Sequence, residues 1–193
     1  MASCDFLFDY ASPWAYLADI LRTRLLPGVT VQLQPIYLRG LSSFSTGIPY
    51  SPAKLQYIMQ DLGRCAAHHA IPIRPPSHFP VNGLYALRGA LWCQQHAVAA
   101  APAFHAAAFA AAWRDDRNVS DRAVVLELAH EVGLDRDAFS AGLDDPAIKD
   151  ALKTRTAAAA ERGVFGVPSF FVGSQLFWGH DRLDYVARAL AAL

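Results

Sequence analysis

Ser12 and Pro13 stand where the run Cys4-Asp-Phe-Leu-Phe-Asp-Tyr-Ala-Ser-Pro-Trp-Ala-Tyr-Leu17 changes its period. Phe6, Phe8 and Tyr10 alternate as a strand face does, whereas Trp14, Leu17, Ala18, Leu21 and Leu25 recur at helical spacing. Ser12 falls at the N-cap and Pro13 at the first helical position, where a missing N–H costs nothing. The pattern therefore aims a hydroxyl and several free backbone N–H groups at whatever lies above the strand. Such a setting favours an anion, and a thiolate is an anion. No His or Lys is placed in sequence to deprotonate Ser12, so the serine also reads as a plain cap.

Other residues with chemical potential read more simply. His180 beside Asp181 fits the start of a helix as well as a catalytic pair. Cys65, His68 and His69 have helical spacing and His78 is not far along the chain, but a lone cluster without a second ligand pair is usually incidental, and no metal is expected. Asp115-Asp116 and Asp144-Asp145 are adjacent in sequence, which splays their side chains, so they read as caps and turns. Trp14, Phe44, Trp92, Trp113 and Trp178 read as core or site-wall residues.

The elements that position Ser12 follow from patterning. Pro27-Gly28 stops the first helix and Val29-Thr-Val-Gln-Leu33 alternates as a second strand, the size of a right-handed βαβ unit. From Arg39 to Tyr50 the chain turns to Ser, Gly, Thr and Pro, a loop long enough to cover a site. Residues 52–163 contain almost no strand signal. Leu55, Ile58, Met59 and Leu62 share a helical face; Asn82 is a candidate cap for a helix with Leu84, Leu87, Leu91 and Trp92 inward; alanine-rich residues 97–113 make another. Ser120 or Asp121, Asp135 or Asp137, and Asp145-Pro146 open three more. Strand signals return in Ser169-Phe-Phe-Val172 and Leu176-Phe-Trp178 around a Gly173-Ser174 turn, and Gly179-His-Asp-Arg182 is expected to cap a last helix.

The 193 residues carry 17 Lys plus Arg against 17 Asp plus Glu. A chain this balanced has no basic face for nucleic acid and no charged tail for a membrane surface. The alanine tract falls short of a membrane span. Asp5 and Asp9 near the start, with no basic segment before an apolar run, give no secretory signal, and three cysteines with no close pair suit a reducing cytoplasm.

A βαβ half (1–51) and a ββα half (164–193) with a proline before the first C-terminal strand resemble the thioredoxin fold, and the all-helical insertion (52–163) between them resembles its DsbA-like branch. In that fold the proline of Val167-Pro168-Ser169 is typically cis and faces the first helix. Redox members carry Cys-x-x-Cys there; Ser12-Pro13-Trp14-Ala15 has no sulfur, which rules out dithiol exchange through this position. The serine, the run Gly163-Val-Phe-Gly-Val-Pro-Ser-Phe-Phe-Val, the run Leu176-Phe-Trp-Gly-His-Asp-Arg-Leu183, Phe79-Pro-Val-Asn-Gly-Leu and Ala86-Leu-Arg are together similar to the kappa-class glutathione transferase and 2-hydroxychromene-2-carboxylate isomerase group.

The resemblance implies glutathione as cofactor. Its sulfur would lie beside Ser12, where cap hydroxyl and helix terminus each contribute on the order of 1 kcal/mol toward the thiolate. The backbone of Val167, held by Pro168, would pair with the peptide, and Trp178, Gly179, His180 and Asp181 would hold its γ-glutamyl end. The activity implied is a glutathione-dependent isomerisation of 2-hydroxychromene-2-carboxylate, a small aromatic carboxylate, by a cytoplasmic homodimer; a kappa-like transferase or peroxidase and a non-catalytic glutathione- or peptide-binding module are the other readings. Where the group often has Gly-Asn-x-x-Pro, this chain reads Gly47-Ile48-Pro49. Isomerases of the group tend to place a lysine slightly earlier for the substrate carboxylate, and the nearest residue here is Ser42. Ser42, Ile48 and Phe79 are accordingly the expected substrate contacts.

Overall fold

A computed structural model describes residues 2–193. Strand β1 (Ser3–Phe8) runs parallel to β2 (Thr30–Pro35) and antiparallel to β3 (Ser169–Val172), which pairs with β4 (Gln175–Trp178), in the order β2-β1-β3-β4. With a neighbour on each side and packing on each face, β1 is apolar almost throughout. Cys4, Phe6 and Phe8 turn to one face, where Phe6 stacks on its cross-strand partner Phe170 at 4.9 Å between ring centroids. Leu7 turns to the other face with Ile36 and Phe171.

Helix α1 (Pro13–Leu25) joins the two parallel strands and ends before a turn in which Gly28 takes φ +72°, a conformation costly for any residue with a Cβ. Between the halves of the sheet lie α2 (Pro52–His68), α3 (Leu84–His96), α4 (Ala101–Trp113), α5 (Arg122–Glu131), α6 (Arg136–Asp144) and α7 (Pro146–Glu161). Their starts follow local chemistry: Ser51, Asp121, Asp135 and Asp145 each accept a backbone N–H in the following turn. Asn82 accepts from Leu84 N at 3.2 Å, with Gly83 in the cap position itself. The alanine tract becomes helical only at Ala101, which leaves Pro102 in the first turn, where its missing N–H is harmless.

These helices share the core of the sheet. Phe109 on α4 packs on Phe8 and Tyr10, and Trp113 Nε1 donates to the Tyr10 carbonyl at 2.8 Å. Below Tyr10 runs a buried polar chain: its hydroxyl lies 3.1 Å from His105 Nδ1, His105 Nε2 lies 2.9 Å from Asp19 Oδ1, and Arg22 pairs with the same carboxylate. Helix α7 crosses to the other face, where Ala159 joins Leu7, Ile36 and Phe171.

Helix α8 (Leu183–Ala191) closes the ββα half. The expected cap at Gly179–Arg182 is instead a 3-10 turn over His180–Arg182, and Arg182 at the cap position makes no side-chain cap bond. The nearby carboxylate of Asp181 pairs with the Arg182 guanidinium at 3.1 Å. The architecture is the DsbA-like thioredoxin fold, a mixed four-stranded sheet interrupted by helices. Among the described residues, no helix is long and apolar enough to cross a membrane.

Candidate functional site

Ser12 is buried at the start of α1 with its backbone extended. Its Oγ accepts from Ala15 N at 3.2 Å and donates to the Val167 carbonyl at 3.3 Å, so the helix cap and the Val167-Pro168 turn, 155 residues away in sequence, face each other. The Val167-Pro168 peptide is cis. Pro13 has no N–H, Ala15 gives its own to Ser12 Oγ and Tyr16 to the Ser12 carbonyl at 3.2 Å. Trp14 N–H is left without a partner among the described residues, at the positive end of the helix dipole.

This turn forms one wall of a cleft holding about 850 Å³ of empty space, part of it open to solvent. Tyr37, Leu38 and Arg39 after β2, the loop residues Phe44, Ile48 and Tyr50, and Leu55, Ile58 and Met59 of α2 supply further walls. Phe79 to Gly83 and Val167 complete them. The lining is mainly aromatic and aliphatic, and its polar side chains are few: Asp9, Ser12, Tyr37, Arg39, Tyr50 and Asn82. That composition suits a flat organic molecule fixed by a few directional contacts.

Of the expected residues, Ser12, Val167, Ile48 and Phe79 line this cleft. Ser42 lies outside the lining and is exposed, because a 3-10 turn over Ser42–Phe44 puts residues three apart on one side. Leu41 is consequently buried, and Phe44 is the residue presented to the cleft. Trp178, Gly179, His180 and Asp181 also lie outside the lining, behind Trp14, on whose ring His180 stacks at 4.8 Å between centroids. Gly179 N–H donates to the Pro168 carbonyl at 3.0 Å, so these residues support the proline turn from that side. Burial holds the His180 imidazole below its ordinary pKa, with His69 adding to the effect and Asp181 opposing it. Cys65, His68 and His69 belong to no group of three or more potential metal ligands among the described residues.

Asp9 is the site residue that patterning did not single out. Its carboxylate is buried, with Oδ1 accepting from Ala11 N at 2.9 Å and Oδ2 from Leu38 N at 2.8 Å. It therefore fastens the turn that carries Ser12 to the turn that carries Arg39. Burial raises its pKa to about 6, against the two N–H donors and the Arg39 charge that favour the ionised form. Gly83 lies so close that a Cβ there would overlap Asp9 Oδ1. A lone carboxylate ending the apolar run Phe6-Leu-Phe was the available signal for Asp9. Nothing local marked Arg39 or Tyr37, whose places depend on how the chain after β2 packs.

Comparison with known proteins agrees with this geometry. Residues 3–191 match the family model of the DSBA-like thioredoxin domain. A 2-hydroxychromene-2-carboxylate isomerase of Sphingobium xenophagum is 33% identical over 195 residues, covering 94% of each chain. One from Pseudomonas putida is 31% identical, over 98% of this chain and 94% of its own. A solved structure of a 2-hydroxychromene-2-carboxylate isomerase superposes with a TM-score of 0.85 at 30% identity, over 98% of this chain and 95% of that one. Fold, cleft and near full-length similarity together place this chain in the DSBA-like thioredoxin domain family, within the group of the 2-hydroxychromene-2-carboxylate isomerases.

Proposed function

We propose that this protein is a glutathione-dependent isomerase that interconverts 2-hydroxychromene-2-carboxylate and trans-o-hydroxybenzylidenepyruvate in the degradation of naphthalene-type aromatics. The observation that carries the reading is the Ser12 hydroxyl, set at the N-terminus of α1 opposite Val167-Pro168 and opening into a largely apolar cleft. The names of the relatives support the substrate, and the Ser12 hydroxyl beside the Val167-Pro168 turn supports a thiol-bearing peptide as cofactor.

Glutathione, when bound, would supply a thiolate that adds reversibly to the conjugated system and so frees a double bond to rotate. Ser12 Oγ, which donates to the Val167 carbonyl over a long 3.3 Å, would turn its hydrogen toward that sulfur. The unpartnered Trp14 N–H and the helix dipole stabilise the same negative charge. Val167 offers main-chain groups to an extended peptide, and Pro168 holds them in place. Trp14, Phe44, Tyr50 and Phe79 exclude water from the face where a flat substrate lies.

The test follows the absorbance change of 2-hydroxychromene-2-carboxylate with and without glutathione, beside Ser12→Ala. Glutathione-dependent isomerisation that falls strongly in the variant is the expected result. Measurable glutathione binding with no turnover would remove the substrate assignment, and turnover of a generic aryl electrophile in its place would identify a transferase.

A further inference from the structure

The cleft is lined by a single cationic side chain, Arg39, and its surroundings indicate what that cation does. Arg39 sits in a 3-10 turn (Leu38–Gly40) directly after β2, where its side chain is exposed to the cleft and makes no ion pair among the described residues. The other charged group of the lining, Asp9, is not its salt-bridge partner. No Arg39 nitrogen comes within ion-pair distance, and both Asp9 oxygens already accept backbone N–H groups, from Ala11 and from Leu38. A guanidinium with no ion-pair partner among the described residues, in a lining that also includes Tyr37, Phe44 and Tyr50, keeps an unused planar set of N–H donors.

We propose that Arg39 receives the carboxylate of the flat aromatic substrate, with Asp9 as the positioning residue that holds the Arg39 turn against the Ser12 turn. This rests on the isomerase reading of the cleft and adds the group that orients the substrate within it. Planar N–H donors match a carboxylate in two parallel hydrogen bonds, which fix direction as well as position. The ring system then lies along the aromatic and aliphatic walls toward Ser12. The geometry makes Arg39 a determinant of specificity: it selects acids over neutral molecules of the same shape, because only an acid gives the exposed guanidinium a charged partner.

The cation nearest in chemistry is Lys54, whose Nζ lies 4.5 Å from the centre of the Tyr50 ring but outside the cleft lining. It provides the control for a charge that merely sits near the mouth.

The test uses calorimetric binding of chromone-2-carboxylate, an unreactive bicyclic acid, and of its neutral carboxamide to the full chain, with wild type, Arg39→Gln, Arg39→Lys and Lys54→Gln. Arg39→Gln should weaken the acid by roughly tenfold or more and leave the carboxamide and glutathione within about twofold, the range expected from losing charge-assisted hydrogen bonds. Arg39→Lys should recover part of the acid affinity, and Lys54→Gln should not change it. Equal losses for acid and carboxamide, or a loss that follows Lys54 in place of Arg39, overturns the assignment. Steady-state isomerisation separates this proposal from the one beneath it. Turnover with a KM untouched by Arg39→Gln refutes Arg39 alone, whereas Arg39-dependent binding of the acid without any isomerisation refutes the reaction and leaves the carboxylate site standing.

Discussion

Replacing Asp9 by asparagine tests the strongest electrostatic statement the structure makes. The carboxyl is fully buried, and its pKa moves from an ordinary 3.8 to about 6 because burial opposes the charge more than Ala11 N–H, Leu38 N–H and Arg39 favour it. A folded pKa above the unfolded one means that the stability contributed by protonated Asp9 is complete below the unfolded value and is lost as pH rises through the folded one. The loss amounts to about 3 kcal/mol once the pH exceeds about 7. Asparagine does not titrate, but it has one acceptor oxygen for two N–H donors, a pH-independent cost of about 1–3 kcal/mol. Wild type should therefore exceed Asp9→Asn in stability by about 1–3 kcal/mol near pH 4, and that margin should shrink by about 3 kcal/mol and close or reverse by about pH 8. Equilibrium urea unfolding of both proteins, followed by circular dichroism at intervals from about pH 4 to about pH 8, reads the margin directly. A margin that stays constant or widens with pH would show that the two N–H donors outweigh burial, and would refute the reasoning.

The remaining predictions concern the same neighbourhood. Gly83→Ala should destabilise by about 1–3 kcal/mol and weaken glutathione binding, because the new Cβ overlaps Asp9 Oδ1 and lies 3.3 Å from Ala11 N; Gly83 has an ordinary φ, so the effect is purely steric, and thermal melts with glutathione titration check it. Tyr10→Phe removes the hydroxyl beside His105 Nδ1 in a fully enclosed setting, which should cost about 1–3 kcal/mol in urea unfolding; a neutral result would mean that the Tyr10–His105–Asp19 chain contributes nothing net. Ser12→Ala, besides its effect on turnover, should lose about 1 kcal/mol from the α1 cap, readable in the same unfolding experiment.

Much of the fold was legible in the sequence because its signals are local. The change of period at Ser12-Pro13, the acidic caps at Asp121, Asp135 and Asp145, and the Gly173-Ser174 turn each involve neighbours within about four residues, the range over which helices and hairpins form. The meeting of Ser12 with Val167 came from resemblance in two motifs, since no local pattern relates residues 155 positions apart. Where the structure sets expected residues outside the cleft lining, the reasons are also physical. Ser42 stands in the right loop, but a three-residue turn hands the inward position to Phe44. Trp178 to Asp181 were expected around a ligand, yet the stack of His180 on Trp14 and the Gly179 bond to Pro168 set them behind the cleft wall.

By itself the sequence determined which segments are strands and helices, roughly where most of them begin, and that a capping hydroxyl in place of a thiol heads the first helix. Tertiary structure alone decided which groups share a cleft: Asp9 from the end of β1, Arg39 after β2, Phe44 from the loop, Met59 from α2 and Asn82 before α3. Hydrogen bonds and periodicity act between near neighbours and leave their mark on composition, whereas the walls of a site are brought together by burial of the intervening chain, which constrains how apolar each element is but not which side chains meet.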